Sequence, residues 1–332
     1  MRQTTLSKIA SIIVSTIPIA ISILLLVIAF FYEPEAGGKI IQPSLIAWRD
    51  QFFGFDMPEP NIIWSVGNYG KVIRSNDGGK TWVKQVVPVS VTLQDIAAWD
   101  GLKAVAVGNE GKVILTQDGG KSWRYMELPV SKVANKLFRV KVAPDKSVWI
   151  VGEMNAVFVS RDFGSTWERV TKEADAALHN IAFLDAKTLW VVGEFGRMLS
   201  TVDGGKTWSL KTSPSKVSLM GIAFKDRLQG VAVGLEGAIL ETNDGGKTWT
   251  EAKKVTNSHL FDVTVNKESW SAVGDMGIVL AKEIGSNWKA FRLGENDLSW
   301  HTKVLATSSK EIYMSGSTIG VYANGRWVLF KG

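Results

Sequence analysis

Five carboxylates that could act together recur in consecutive repeats of this sequence. Each follows a Val-Gly pair by one or two residues, and they are Glu110, Glu153, Glu194, Glu236 and Asp275. Two carboxylates at a suitable separation are the minimum for glycoside hydrolysis. A ring of like charges could instead form an acidic surface that selects a basic partner. Solvated turn residues are the third interpretation, because exposed charges usually interact only with water.

Histidine and cysteine give little support for metal or nucleophilic chemistry. His179, His259 and His301 each precede a predicted innermost strand, but their registers differ, so they do not predict a shared metal site. The sequence of 332 residues contains no cysteine, which excludes a thiol nucleophile, a thiolate metal site and a disulfide. The Gly-Gly-Lys triplets lie in predicted hairpins without a following helix, so they do not predict a phosphate site. We therefore expect no metal and no cofactor.

A repeat of about forty residues must position these side chains. Its signature is an octet of the form [ST]-x-D-x-G-x-[ST]-W at residues 75–82, 116–123, 160–167, 201–208 and 242–249. Residues 281–288 are a weaker copy, and residues 323–327 are a remnant. Short apolar runs separated by Gly and Asp turns fill the rest of each repeat, which is typical of β-hairpins.

The octet predicts a tight turn followed by a buried ring. Its aspartate can accept hydrogen bonds from its own turn, and its glycine can adopt a positive φ. Its tryptophan begins the next strand and can bury a large ring between neighbouring repeats. The predicted structural residues are Asp77, Trp82, Asp118, Trp123, Asp162, Trp167, Asp203, Trp208, Asp244 and Trp249.

The octet resembles the Asp-box, or BNR, repeat. The longer unit V-G-x-x-G-x-[VI]-x-x-[ST]-x-D-G-G-K-T-W is similar to the photosystem II stability/assembly factor family, in its non-photosynthetic bacterial branch. The resemblance covers roughly residues 50–332 and implies an all-β fold, a seven-bladed β-propeller. Sialidases also carry Asp boxes, but they need an arginine triad that no spacing here predicts. We therefore predict a protein that is not an enzyme.

The antiparallel order of a four-stranded blade assigns its turns to two faces. The Asp boxes and the turns between first and second strands share one face, here called the Asp-box face, with Lys80, Lys121, Lys206 and Lys247 at its rim. The turns after the Val-Gly pairs form the opposite Val-Gly face. We predict that partners bind this second face, together with the aromatic connector. The predicted partner-binding residues are the five carboxylates with Tyr69, Trp48 and Phe52.

Residues 9–32 are uncharged and almost wholly apolar, which predicts one transmembrane helix. Arg2 and Lys8 precede it, and Glu33 and Glu35 follow it. The positive-inside rule then places residues 1–8 in the cytoplasm and the propeller in the periplasm of a bacterial inner membrane. A cleaved signal peptide is the alternative, but no A-x-A site precedes Gly37.

A connector of residues 33–50 leads from the helix to the predicted propeller at residues 51–332. Apolar and aromatic side chains crowd its end and the first propeller residues. Residues 51–55 are predicted as the innermost strand of the first blade. Residues 45–48 could lie on the bilayer surface or contact a partner.

The family resemblance implies assembly, stability or accessory work on a multi-spanning membrane complex. We expect a periplasmic accessory subunit of an inner-membrane transporter, with a resistance–nodulation–division (RND) type exporter as first choice. A stand-alone envelope propeller that binds a glycan or another ligand is the alternative. No nucleic-acid partner is expected, because the net charge of +6 is spread through the repeats.

Overall fold

The computed structural model describes residues 17, 21–25, 27, 45–47, 49–307 and 311–331, with the side chain of residue 212 excepted. The chain divides into two compact units, Met1–Pro43 and Ser44–Gly332. In the first unit, the described residues are helical and exposed. Within the described residues, no helix is both long enough and apolar enough to cross a membrane. Most of the predicted transmembrane helix and Trp48 lie outside the described residues.

The second unit contains seven four-stranded antiparallel sheets, each in simple sequence order. This confirms the predicted seven-bladed β-propeller. Blades 1 to 7 are numbered in chain order, and each blade takes four successive strands. The strands are β1 Phe52–Glu59, β2 Ile62–Gly67, β3 Val72–Ser75, β4 Val83–Lys84, β5 Leu93–Ala98, β6 Ala104–Gly108, β7 Lys112–Thr116, β8 Arg124–Glu127, β9 Leu137–Val142, β10 Val148–Gly152, β11 Ala156–Ser160, β12 Glu168–Arg169, β13 Leu178–Phe183, β14 Leu189–Gly193, β15 Arg197–Thr201, β16 Ser209–Thr212, β17 Leu219–Phe224, β18 Gly230–Gly234, β19 Ile239–Thr242, β20 Thr250–Glu251, β21 Leu260–Val265, β22 Ser269–Gly274, β23 Ile278–Glu283, β24 Lys289–Arg292, β25 His301–Ala306, β26 Ile312–Gly316, β27 Ile319–Ala323 and β28 Arg326–Leu329.

The second strand of each blade is mostly apolar because neighbouring blades cover both of its faces. Strands β6, β10, β14 and β18 are buried at every residue. The hydrophobic core is correspondingly divided into seven clusters, and each lies between two adjacent blades. Both faces of each sheet are therefore packed against a neighbouring blade, as expected for strands whose sequences are continuous apolar runs.

Each Asp box closes its turn with one carboxylate and two hydroxyls. In blade 2, the N–H and the hydroxyl of Ser122 donate to the Asp118 carboxylate at 3.0 and 2.6 Å. The Thr116 hydroxyl donates to the same carboxylate and accepts from the Gly120 N–H, both at 2.9 Å. The boxes of blades 1, 3, 4 and 5 repeat this pattern around Asp77, Asp162, Asp203 and Asp244. Each aspartate therefore accepts hydrogen bonds from its own turn, and a structural role for these residues stays a prediction.

The tryptophan of each Asp box packs against the preceding blade. Trp249 contacts Trp190 edge-to-face, with ring centroids 5.9 Å apart. Trp123 meets Trp64 in the same way at 5.7 Å. The Asp box therefore orders its own hairpin and also joins two blades.

The ring closes between blade 7 and blade 1 without a shared strand. Strand β28 supplies the outer strand of blade 7, after a turn in which Asn324 and Gly325 have φ of 52° and 76°. Positive φ at both residues matches the type I′ hairpin that this dipeptide predicts. Phe330 then packs on Trp82 of blade 1 with ring centroids 5.4 Å apart. Strand β1 is the innermost strand of blade 1, as the sequence favours.

We expect Trp249→Ala to lower the free energy of unfolding by about 3–5 kcal/mol, in line with other large core truncations. The ring is only 9% exposed and contacts both Trp190 and Phe224. Denaturant unfolding would measure the change. The control is Phe195→Ala, because Phe195 is 81% exposed. Equal losses in the two variants would contradict a packing role for Trp249.

Acid should destabilise the propeller through its Asp boxes. The hydrogen bonds from the Ser122 hydroxyl and N–H hold the pKa of Asp118 at about 2, below its usual 3.8. As the pH falls, the unfolded chain therefore binds a proton before the folded chain does, and stability is lost between about pH 4 and about pH 2.

We expect this acid-dependent loss to be smaller in Asp118→Asn, because the amide cannot take up the proton. Denaturation midpoints across this pH range would show the difference, with Glu110→Gln as a charge-matched control outside the Asp boxes. An unchanged pH dependence in Asp118→Asn would contradict the assignment.

Candidate functional site

The Val-Gly face is built from one turn that recurs in six blades. After each Val-Gly pair, the second residue of the turn has a left-handed backbone. These residues are Tyr69, Glu110, Met154, Phe195, Glu236 and Met276, with φ between 53° and 59°. Left-handed backbone is uncommon for residues other than glycine and costs roughly 1–3 kcal/mol. The turn therefore holds six large side chains in a conformation that glycine would adopt with less strain.

The first residue of the turn has a different task. The Glu153 carboxylate accepts from the Lys136 N–H at 2.8 Å, and the Glu194 carboxylate accepts from the Ala177 N–H at 2.7 Å. Asn68 likewise accepts from the Gln51 N–H at 3.2 Å. These side chains are half-buried and fix the segment that enters the first strand of their own blade.

The five predicted carboxylates therefore belong to two sets. Glu110 and Glu236 occupy the exposed second position of the turn, whereas Glu153, Glu194 and Asp275 occupy the half-buried first position. The exposed set also includes Tyr69, which is 83% exposed, and Phe195. The Val-Gly face thus presents separate aromatic, Met and Glu side chains rather than one acidic ring.

Phe52 belongs to the core, and sequence reasoning placed it wrongly on an interaction surface. Its side chain is 1% exposed and packs in the cluster between blades 7 and 1. Phe52, Gly54 and Phe55 are the buried residues of strand β1, so they do not reach a partner in the folded protein. Trp48 lies outside the described residues.

The inner strands carry half-buried side chains at their Val-Gly ends. Phe138 contacts His179 with ring centroids 5.6 Å apart, and Phe53 stacks on Trp300 at 5.6 Å. His179 and His301 thus lie within strands β13 and β25 rather than before them. Burial lowers the pKa of His301 to about 4. Across the part of the chain that the structure describes, no three His, Cys, Asp or Glu residues form a metal-binding group.

A polar ring crosses the channel one step further along the inner strands. In each blade, one residue of the innermost strand pairs with the residue just before the glycine that ends the second strand. The seven residues at this position therefore lie at the same depth in the channel. They are Gly54, Asp95, Arg139, Asn180, Gly221, Asp262 and Lys303. Their side chains connect blades that are not neighbours.

Asp95 and Arg139 are the centre of this ring. The Lys303 ammonium donates to both oxygens of the Asp95 carboxylate at 2.9 and 3.1 Å, which joins blade 7 to blade 2. The Arg139 guanidinium lies 3.8 Å from Asp95 and 3.9 Å from Asp262, and it donates to the Thr302 carbonyl at 3.2 Å. Asn180 donates to Asp262 at 2.9 Å. Each buried charge therefore has an opposite charge or a hydrogen bond, as burial requires.

Sequence reasoning missed this ring, although a signal for it exists. When the repeats are aligned on the glycine that ends each second strand, with a one-residue gap in blade 6, Asp95, Arg139, Asp262 and Lys303 fall at one position of the innermost strand. A charge in a buried strand is expensive unless it is paired. Four such charges at one repeat position, two of each sign, predict a paired cluster.

The comparisons with known proteins agree with this geometry. Residues 82–177 and 211–325 match the profile of the family described as photosynthesis system II assembly factor YCF48. The chain belongs to this family. The matched residues make up more than half of the chain and include most of blades 2, 3, 5, 6 and 7. No curated protein matches the sequence.

Solved structures share the fold at low sequence identity. A structure titled "YCF48 bound to D1 peptide" is 18% identical, with a TM-score of 0.66 over 81% of this chain and 91% of that one. YCF48 from Cyanidioschyzon merolae is 17% identical, with a TM-score of 0.65 over 84% and 95%. The WD40 propeller domain of Doa1 is 9% identical, with a TM-score of 0.68 over 82% and 92%. At these identities the likeness supports the propeller fold of this family member and nothing finer.

We expect Lys303→Met to lower the free energy of unfolding by about 3 kcal/mol, because it leaves the fully buried Asp95 carboxylate short of a partner. Asp95→Asn made in the same chain should recover part of this loss, since it removes the uncompensated charge and keeps an acceptor for the Val140 N–H. Denaturant unfolding of the two single variants and the double variant gives the coupling. Additive losses would contradict a direct interaction between the two side chains.

Proposed function

We propose that this chain is an accessory or assembly factor of an integral membrane complex and not an enzyme. It acts by holding a segment of a client protein on the Val-Gly face. The family is described as an assembly factor, which supports the class of function. The choice of the Val-Gly face depends on the exposed residues of this chain.

The observation that carries the proposal is the set of large exposed side chains in left-handed turns. Tyr69 and Phe195 are more than four-fifths exposed, and Glu110 and Glu236, at the same position of the turn in other blades, are also exposed. An exposed aromatic ring in a rigid turn loses little entropy when it contacts a partner, so it is a suitable binding hot spot. Strained backbone that carries large side chains is most often found at functional positions. The Asp-box face, by contrast, presents dispersed lysines.

A protein segment fits this face better than a small molecule does. The six turns surround the channel, and together they offer separated contacts of aromatic, thioether and carboxylate type. Such spacing suits an extended peptide or a loop with basic and apolar residues. One solved structure is of YCF48 bound to a D1 peptide, which supports a protein client for a member of the same family.

The client is proposed to be an inner-membrane transporter, with an exporter of the RND type as first choice. Residues 9–32 would anchor the chain in the same bilayer, with the N-terminus in the cytoplasm and the propeller in the periplasm. A tether in the same membrane raises the effective concentration of the propeller at its client. The apolar sequence of residues 9–32 and the order of the flanking charges support this arrangement.

A pull-down of the full chain from detergent-solubilised membranes tests the choice of face. We expect Tyr69→Asn with Phe195→Asn to lose the client, because asparagine tolerates the left-handed turn but lacks the ring. Glu110→Lys with Glu236→Lys should also lose it. The matched control is Lys121→Glu with Lys206→Glu on the Asp-box face, which should retain the client.

The opposite pattern would show that the Asp-box face binds the client. Retention in all three variants, together with loss when residues 9–32 are replaced by an unrelated helix, would place recognition in the membrane and not on the propeller. Circular dichroism and thermal unfolding of each variant would show that the propeller is folded.

A further inference from the structure

The channel contains a cavity on the side of the polar ring away from the Val-Gly face. Its volume is about 570 Å³, and its walls are the ends of the inner strands near the Asp-box face. Asp262 and Lys303 of the polar ring lie at its floor. This size is within the range of small-molecule sites. The cavity is separate from the surface proposed for the client protein.

The second layer of the inner strands shapes this cavity. These residues lie two positions beyond the polar ring, and all seven line the cavity: Asp56, Ala97, Lys141, Ala182, Ala223, Thr264 and Leu305. Three of these residues are alanines, whose short side chains leave the channel open at this level. At the level of the polar ring, the long side chains of Arg139 and Lys303 cross the channel. Phe183 and Phe224 add apolar surface near the opening. The cavity therefore combines an apolar wall with a few polar groups, which is the usual composition of a ligand site.

Lys141 is the charged residue of this cavity that lacks a partner. Within the described part of the chain, its ammonium makes no hydrogen bond or ion pair, whereas Lys303 is bound to Asp95. Asp262 accepts from Asn180, and Asp56 accepts from the Ala98 N–H at 2.7 Å. Burial lowers the pKa of Lys141 to about 8. The Asp262 charge attracts this ammonium, but no group in the described part of the chain accepts a hydrogen bond from it, so the carboxylate of a ligand would supply the acceptor.

The other charges in the cavity limit which anion can bind. Asp56 and Asp262 line the same space, so a second negative charge on the ligand would be repelled. One ammonium also matches one carboxylate in charge. Phosphate and dicarboxylates are therefore disfavoured. An apolar body of the ligand could contact the alanines and Phe224.

We propose that this cavity binds a small organic monocarboxylate, with the Lys141 ammonium on the carboxylate and the alanine wall on its apolar body. The carboxylate could belong to a free metabolite or to an acidic side chain of another protein. Both sources share this chemistry, and the experiment separates them.

Calorimetric titration of the purified full chain in a non-ionic detergent tests the proposal with phenylacetate as the probe. We expect saturable binding of phenylacetate and weaker binding of the neutral phenylacetamide, by about tenfold or more, because the amide oxygen can still accept from the ammonium but the attraction between opposite charges is lost. Phenyl phosphate, as a dianion, should also bind more weakly. An acetylated aspartate amide serves as the probe for an acidic side chain, and tighter binding of this probe than of phenylacetate would assign the site to a protein partner.

Two variants locate the binding. Lys141→Met should weaken phenylacetate binding by about tenfold or more while leaving the melting temperature equal or higher, since it removes an uncompensated charge. Ala223→Phe should fill the cavity and abolish binding. Lys206→Met on the exposed Asp-box rim is the matched control and should bind as the parent does. The proposal is overturned if phenylacetamide binds as well as phenylacetate, if Lys141→Met binds normally, or if phenylacetate shows no saturable binding.

Discussion

Blades 1 to 5 each depend on one ionised aspartate at the hairpin between their third and fourth strands. In blade 4, the Asp203 carboxylate binds the N–H and the hydroxyl of Thr207 at 3.0 and 2.6 Å, and the Thr201 hydroxyl binds the Gly205 N–H at 3.0 Å. This local network places Trp208 against Trp149 of blade 3, with ring centroids 6.5 Å apart. A turn of eight residues therefore determines both the end of one hairpin and the packing between two blades.

The fold was predictable because its information is local and repeated. Five full Asp boxes specify five hairpins, and Asn324-Gly325 specifies another by turn chemistry alone. Seven units of one plan then require closure, since a row of such units would leave an apolar edge exposed. The contacts that close the ring were harder to predict from the sequence. Phe330 follows no octet, and its place on Trp82 depends on the curvature summed over all blades.

The candidate site was only partly predictable, because two adjacent turn positions have different roles. The first is half-buried, and the second projects into solvent in most blades. Glu194 and Glu236 both follow a Val-Gly pair, but Glu194 is the first residue after it and Glu236 is the second. The Glu194 carboxylate therefore accepts from the Ala177 N–H, whereas Glu236 is exposed. A count of carboxylates cannot separate them, whereas a strict alignment of the repeats can. The polar ring shows the other limit. Arg139 reaches the carbonyl of Thr302 across the channel, and only a closed ring brings two such distant positions together.

The seam between the first and last blades has a consequence for biosynthesis. Every blade is a continuous segment, so each hairpin can form soon after its residues are made. The ion pair of Lys303 with Asp95, however, joins residues 208 positions apart in the chain. Until the last blade is made, the growing chain is an open arc whose first blade exposes the apolar face of β1 and β2. The exposed edge of such an arc can pair with other chains. The protein is therefore most prone to aggregation, and most dependent on a chaperone or on fast synthesis, before strands β25 to β28 have formed.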